Sequence, residues 1–236
     1  NRINTTKQKQ QRTTMLFPAK INKHIVRDIT IRYSPYTTSM EVQAQTLDIE
    51  NIQDFKDAIL VQVVEDSDVL NELTDTELYN LSTKVRSASY GSEVEMTYTC
   101  SCGSVQSAQL DLEEDVMYSD ATLETFLLDA SQWTNEELRL EVTLTGKRTE
   151  AIIKASSDYP WIAHIKTIKV QEEQQDFNFK ELQAFIDSLP LGLFKALEEH
   201  VQQRTGTCYI EKEVNCFNCN LRSNLTLEPS FFFLAL

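Results

Sequence analysis

Two short stretches hold four of the chain's five cysteines: "YTCSCGSVQSAQLDL", Tyr98 to Leu112, and "VNCFNCNLRSNLTL", Val214 to Leu227. Thiolates spaced one or two residues apart are metal ligands by type and spacing, and zinc takes four tetrahedral sulfurs at about 2.3 Å. Neither pair can close such a site alone. Cys100, Cys102, Cys216 and Cys219 together can, so the pattern predicts one shared structural zinc ion that pins the middle of the chain to its far end. A four-cysteine iron–sulfur cluster is the alternative occupant. A redox dithiol would set its C-x-x-C at the start of a helix, whereas Cys216 and Cys219 sit between β-patterned segments. If the thiols were only small buried hydrophobes, nothing would pair them in matched turns. Cys208 lies outside both turns and reads as a strand residue facing the core.

Other chemistry finds little support. His24, His164 and His200 are scattered, and no nucleophile motif surrounds them. With five glycines in the whole chain, none in a Rossmann or Walker spacing, a phosphate-cradling loop is excluded. The acidic groups Glu113-Glu114-Asp115 and Glu172-Glu173 read as solvated faces. The expectation is a binding protein, not an enzyme, with no small-molecule substrate.

The elements that must position the cysteines come in two similar runs. Thr74 followed by Glu77 makes a capping-box start for a helix carrying Leu78, Leu81 and Val85, and Gly91 ends it. Later, "FNFKELQAFIDSLP" and "LFKALEEHVQQRTG" give two helices meeting at Pro190, with Phe194, Leu197 and Val201 on one face and Gly206 at the end. After each terminal glycine the chain goes extended into a cysteine turn. Gly103 or Asn220 follows the second cysteine and suits a positive φ, and a Leu-x-Leu strand comes next, Leu110 and Leu112 or Leu225 and Leu227. The unit of helix, glycine, strand, cysteine turn and strand therefore occurs twice.

Around these runs, Ile25, Ile29 and Ile31 signal one or two early strands, and Ile52, Phe55, Ile59 and Val63 recur at helical spacing. "TLETFLLDASQW" reads as helix, and "LRLEVTLTG" with "TEAIIKAS" as a short additional β-hairpin around Gly146. The fold class is α+β: helical segments plus two β-hairpin zinc knuckles joined into one zinc-ribbon-like site. The divisions run 1–16, a flexible basic arm; 17–50, extended; 51–91, helical; 92–170, first cysteine hairpin and β region; 171–236, helix pair, second cysteine hairpin and apolar tail.

Composition narrows the partners. At 236 residues and 41% apolar the chain can fill one large core or two modest ones. It has no apolar run long enough to span a bilayer, so integral membrane insertion and secretion are not expected, and the thiols should be reduced. Arg2, Lys7, Lys9, Arg12, Lys20, Lys23 and Arg27 precede the first acid, Asp28, within a chain of net charge −14. The remainder is strongly acidic and repels polyanions, which argues against nucleic acid as a partner. The arm should order against an acidic surface. The run Phe231-Phe232-Phe233-Leu234-Ala235-Leu236 must be covered, by this protein's own core or by a neighbouring subunit.

Taken in order, these residues resemble the baseplate hub and hub-assembly proteins of contractile-tailed bacteriophages. The resemblance runs from about residue 16 to 236: an extended stretch from Phe17 to Arg32, an acidic helical region from Glu50 to Lys84, Cys100-Ser101-Cys102-Gly103 leading to Leu110-Asp111-Leu112, and Leu138 to Lys154. Phe185 to Pro190, Phe194 to Val201, Cys216 with Cys219, and Leu225 to Phe233 complete it. The chain departs from the family pattern in its C-x-C first turn and in the basic arm. The resemblance implies a structural or assembly component of the central hub at the tail-tube tip, located in the virion tail baseplate and assembled in the host cytoplasm. Its partners would be other hub and tail-tube tip proteins. The competing readings are a zinc-ribbon regulator of nucleic acid or polymerase, and a hub-assembly chaperone absent from the mature virion.

Overall fold

The structure is a computed structural model, and it describes residues 20–40, 42, 52–134, 138–146, 159–170, 173–175 and 179–227. The basic arm, the partner strand expected over 149–156, Glu172 and the apolar run 231–236 lie outside the described residues.

The first of three cores is mostly local. Strands β1 (Asn22–Val26) and β2 (Ile29–Tyr33) pair antiparallel through a tight turn at Arg27, which adopts a positive φ of 54°. Helix α1 follows as Ile52–Phe55, loosens into a π-helical turn over Lys56–Leu60 and closes with Val61–Val63. Its end docks on the β2 edge, where Ser34 N–H donates to Val63 O at 2.9 Å and Glu65 N–H to Arg32 O at 3.0 Å. After a 3-10 turn (Ser67–Glu72), helix α2 (Asp75–Tyr90) starts on the expected capping box. Thr74 Oγ1 accepts from Glu77 N–H, and the Glu77 carboxylate accepts from Thr74 N–H at 2.8 Å. Phe55, Ile59, Leu60, Leu78, Leu81 and Val85 bury their side chains here with Val26 and Ile31.

Glu77 has a second use that its capping pattern does not reveal. It is fully buried, and Arg27 reaches it from the β1–β2 turn with Nε to Oε1 at 2.8 Å and Nη2 to Oε2 at 3.1 Å. A buried carboxylate is tolerated only when paired and hydrogen-bonded, so this bond holds the hairpin against the start of α2.

The second core corrects two expectations. "TLETFLLDASQW" contains a strand, β6 (Phe126–Asp129), because Phe126, Leu128 and Ala130 are buried at period two while Leu127 faces out. The additional hairpin is in fact a four-stranded antiparallel sheet, ordered β6, β7 (Arg139–Leu144), β8 (Ile165–Val170), β9 (Glu173–Gln175). Helices α3 (Phe179–Asp187) and α4 (Leu191–Arg204), joined at Pro190, cover it with Leu182, Ile186, Leu193, Leu197 and Val201. The buried face of α4 starts at Leu193, with the expected Phe194 only partly buried and set edge-on to Trp161.

The third core carries the cysteines. Strands β3 (Glu93–Thr99) and β4 (Val105–Asp111) form one hairpin; β10 (Thr207–Asn215) and β11 (Arg222–Leu227) form another, to which β5 (Val116–Ser119) adds on the β10 side. Val94, Met96, Leu110, Leu112 and Ile210 are buried where these hairpins pack together. In the turn before β5, Glu113 and Glu114 are exposed as a solvated face, but Asp115 is not part of it. Asp115 accepts from Asp111 N–H at 2.7 Å and pairs with Lys212 Nζ at 2.7 Å, so it ties the first hairpin to β10. Thr74 Oγ1 donates to Thr205 O at 3.2 Å and joins the start of α2 to the end of α4. Immediately beyond, Gly206 has φ +85°, and a side chain there would meet Ser119 O at 2.6 Å, so only glycine fits.

Candidate metal centre

Each hairpin presents its cysteines on a closed turn. In the first, Cys100 N–H donates to Ser104 O at 2.9 Å and Gly103 N–H to Cys100 O at 2.8 Å. In the second, Cys216 N–H donates to Leu221 O at 3.0 Å and Asn220 N–H to Cys216 O at 2.8 Å. The pattern is the same with one residue fewer in the first turn, and that residue is the difference between C-x-C and C-x-x-C. In both, the residue after the second cysteine takes the expected left-handed conformation, Gly103 at φ 84° and Asn220 at φ 57°. In both, that cysteine sulfur accepts the backbone N–H two residues on, Ser104 for Cys102 and Leu221 for Cys219.

The turns meet tip to tip. Cys100 Sγ lies 3.7 Å from Cys219 Sγ and Cys102 Sγ 3.7 Å from Cys216 Sγ, and all four sulfurs fall within 4.8 Å of one another. A regular tetrahedron around an ion with metal–sulfur bonds of about 2.3 Å has sulfur–sulfur edges of about 3.8 Å. The two edges that cross between hairpins therefore already have the length a single four-sulfur site requires. Cys100 and Cys216 are buried on the core side, and Cys102 and Cys219 are exposed.

The electrostatics of the four thiols are uneven. Hydrogen bonds from the Ser104 backbone and the Asn218 amide, 3.7 Å from Cys102 Sγ, bring the Cys102 thiol down to about 6. Cys219 also receives a backbone N–H, from Leu221, yet desolvation and the three neighbouring thiols outweigh it and push that thiol up to about 12. Negative charge already placed on one sulfur opposes it on the next, and a divalent cation at the centre removes that opposition. Such an ion would be held by all four sulfurs, with no ligand position left open for a substrate.

Around the cluster, Tyr98 OH donates to Asn215 O at 3.4 Å and Phe217 N–H to Gln106 Oε1 at 3.4 Å, two further bonds between the hairpins. Asn218, Gln106 and the Ser104 and Leu221 amides were not legible as site residues. A backbone N–H carries no side-chain signal, and Asn218 stands out only as an amide inside C-x-x-C.

The other candidates lie elsewhere. Cys208 is half-buried on β10, and desolvation pushes its thiol up to about 12. His24 Nε2 is 3.3 Å from Asn80 Nδ2; His164 is buried with Nδ1 3.3 Å from Thr145 O; His200 stacks on Phe126. Among the described residues the four cysteines are the group of ligand-type side chains close enough to hold a metal, and no helix is long and apolar enough to cross a membrane.

These features define a mixed α and β protein of small antiparallel sheets whose chemistry-bearing group is a cage of four sulfurs. The chain belongs to the family described as T4 bacteriophage base plate protein, whose model matches residues 14–233. Membership gives it a structural role in a phage baseplate, a place in the virion tail and other phage structural proteins as binding partners. No curated protein and no solved structure matches the chain.

Proposed function

We propose that the chain is a structural or assembly component of the central baseplate hub, at the tip of the tail tube, and that it works by protein–protein binding. Cys100, Cys102, Cys216 and Cys219 hold one structural zinc ion that locks the two hairpins into a single zinc-ribbon-like body. The observation that carries this reading is the convergence of four sulfurs, from turns 114 to 119 residues apart, within 4.8 Å in a chain of the base plate family. Sulfur spacing favours one ion over an iron–sulfur cluster, because a cluster interposes several iron and sulfide atoms and spreads its cysteines further apart. Metal bound only by the folded state adds its binding free energy to stability, about 10 kcal/mol or more for structural zinc.

A zinc-ribbon regulator of nucleic acid would need basic residues beside the cage, and a net charge of −14 supplies the opposite field. The deciding experiment has two parts. Elemental analysis of the purified protein should find about one zinc and no iron per chain, and the Cys216→Ser, Cys219→Ser double variant should lose it. Protein analysis of purified particles should find the chain in the mature tail. Its absence there, with presence in assembly intermediates, would make it a hub-assembly chaperone instead.

A further inference from the structure

The surface of the paired cysteine turns differs from the rest of the molecule. Residues 96–110 contain no Asp, Glu, Lys or Arg, and residues 214–227 contain one, Arg222, in a chain where 25% of residues are charged. Arg222 is itself 3.7 Å from Glu213. On this cap, whose one charged side chain outside the cage is Arg222, stand Phe217 at 85% exposure, Val105 at 68% and Leu221 at 46%, flanked by exposed Asn218 and Asn220. Phe217 lies between the two cysteines of its turn, so its backbone is fixed from both sides by the cage and by the bond to Gln106. An exposed aromatic on a rigid, charge-depleted patch is the composition of an interface centre, where aromatics are enriched and charges depleted.

We propose that this cap is a plug, with Phe217 at its apex, that inserts into a concave, apolar socket on a different baseplate protein. The shape selects the socket. A specific contact buries on the order of 800 Å² per partner, and two hairpin turns reach that only when enclosed on several sides. A second copy of the chain is a poor occupant, since two convex caps meeting end to end leave most of both wet while bringing two bodies of charge −14 together. Four thiolates around one divalent ion leave two negative charges in excess, so the socket's floor is apolar against Phe217 and Val105 while its rim offers N–H donors to the exposed Cys102 and Cys219 sulfurs. Amide or backbone groups at its rim match Asn218 and Asn220. A rigid plug loses little conformational freedom on docking.

The inference rests on the baseplate reading for the class of partner but not on the hub position, on permanence in the virion or on the identity of the metal. The test supplies the chain in trans during infection with a photo-crosslinking phenylalanine analogue at position 217, and irradiates both infected cells and purified particles. The expected result is one heterologous crosslink to another phage structural protein. As a second arm, Phe217→Asp should keep the metal content and melting temperature of the parent but enter baseplates at least tenfold less, whereas Leu127→Asp, at another exposed apolar site, on β6, should enter normally. Crosslinks only between copies of this chain, no crosslink, or normal incorporation of Phe217→Asp would each overturn the plug. If the heterologous crosslink appears in cells but the chain is missing from particles, the plug stands and the permanent hub component falls.

Discussion

Four thiols packed within 4.8 Å cannot all lose their protons without a cation among them, so the cage and the proposed ion would act as one unit. Cys216, buried on the core side, is the least exposed of the four. Cys216→Ser should abolish tight zinc binding and lower the thermal midpoint together with it, read by elemental analysis and by melting with and without chelator. Arg27 offers a residue-scale test that is independent of metal. Removing one partner of a buried ion pair costs about 3–5 kcal/mol, so Arg27→Ala should destabilise by that order in urea unfolding. Because Arg27 sits at φ 54°, Arg27→Gly should lose about 1 kcal/mol less than Arg27→Ala. His24 supplies a pH test. Burial, then Lys84, lowers its pKa below 6.5, so the unfolded chain binds the proton more readily than the folded one. Its favourable contribution is complete above pH 6.5 and is lost as pH falls from 6.5 through the depressed folded value. Comparing the pH dependence of stability of His24→Gln with that of the parent should show a flatter curve in the variant over that window.

At the scale of elements, the two cysteine turns are the same device built one residue apart in length, and their left-handed positions make a paired prediction. Gly103 has open space around its α-carbon, so Gly103→Ala should cost only the backbone term, about 1–2 kcal/mol. Asn220→Gly should leave stability within about 0.5 kcal/mol of the parent or above it. Equal losses in both variants, measured by denaturant unfolding of the metal-bound protein, would contradict the equivalence of the turns. These turns were legible because their information is local: cysteine spacing, a glycine or asparagine after it, a Leu-x-Leu strand behind. The capping box at Thr74 and the proline corner at Pro190 were legible for the same reason. The four-stranded sheet was not, because β6 shows its alternation over only Phe126 to Ala130 and the surrounding "TLETFLLDASQW" imitates helical spacing. Asp115 and Arg27 were missed because the partners that give them a role, Lys212 and Glu77, are remote in sequence. That β5 joins β10, across some ninety residues, is a tertiary fact no local pattern records.

For the molecule as a whole, among the described residues Thr74 to Thr205 joins the first core to the helices of the second and Ser87 to Glu113 joins it to the third, while Asp115 to Lys212 and the sulfur cage tie the two hairpins within the third. An acidic body with a charge-poor cap makes a further expectation about assembly. Docking through the cap should depend on salt less than docking through a charged face, because the cap carries few charges to screen. Incorporation of this chain into baseplates in vitro should therefore change less than about threefold between low and high salt, and a steep dependence would point to the charged faces instead.

The distance along the chain between the two halves of the cage sets a clock. Cys219 follows Cys100 by 119 residues, which at 5–20 residues per second is roughly 6–24 s of synthesis. During that interval the first hairpin exists as an unpartnered dithiol on a nascent chain, able to oxidise or to lend its sulfurs to whatever metal or thiol is nearby. The cage can be finished only after the second turn clears the ribosome, so the proposed ion would enter last, and the supply of reductant and metal during translation would become part of the yield of every virion tail that uses this protein.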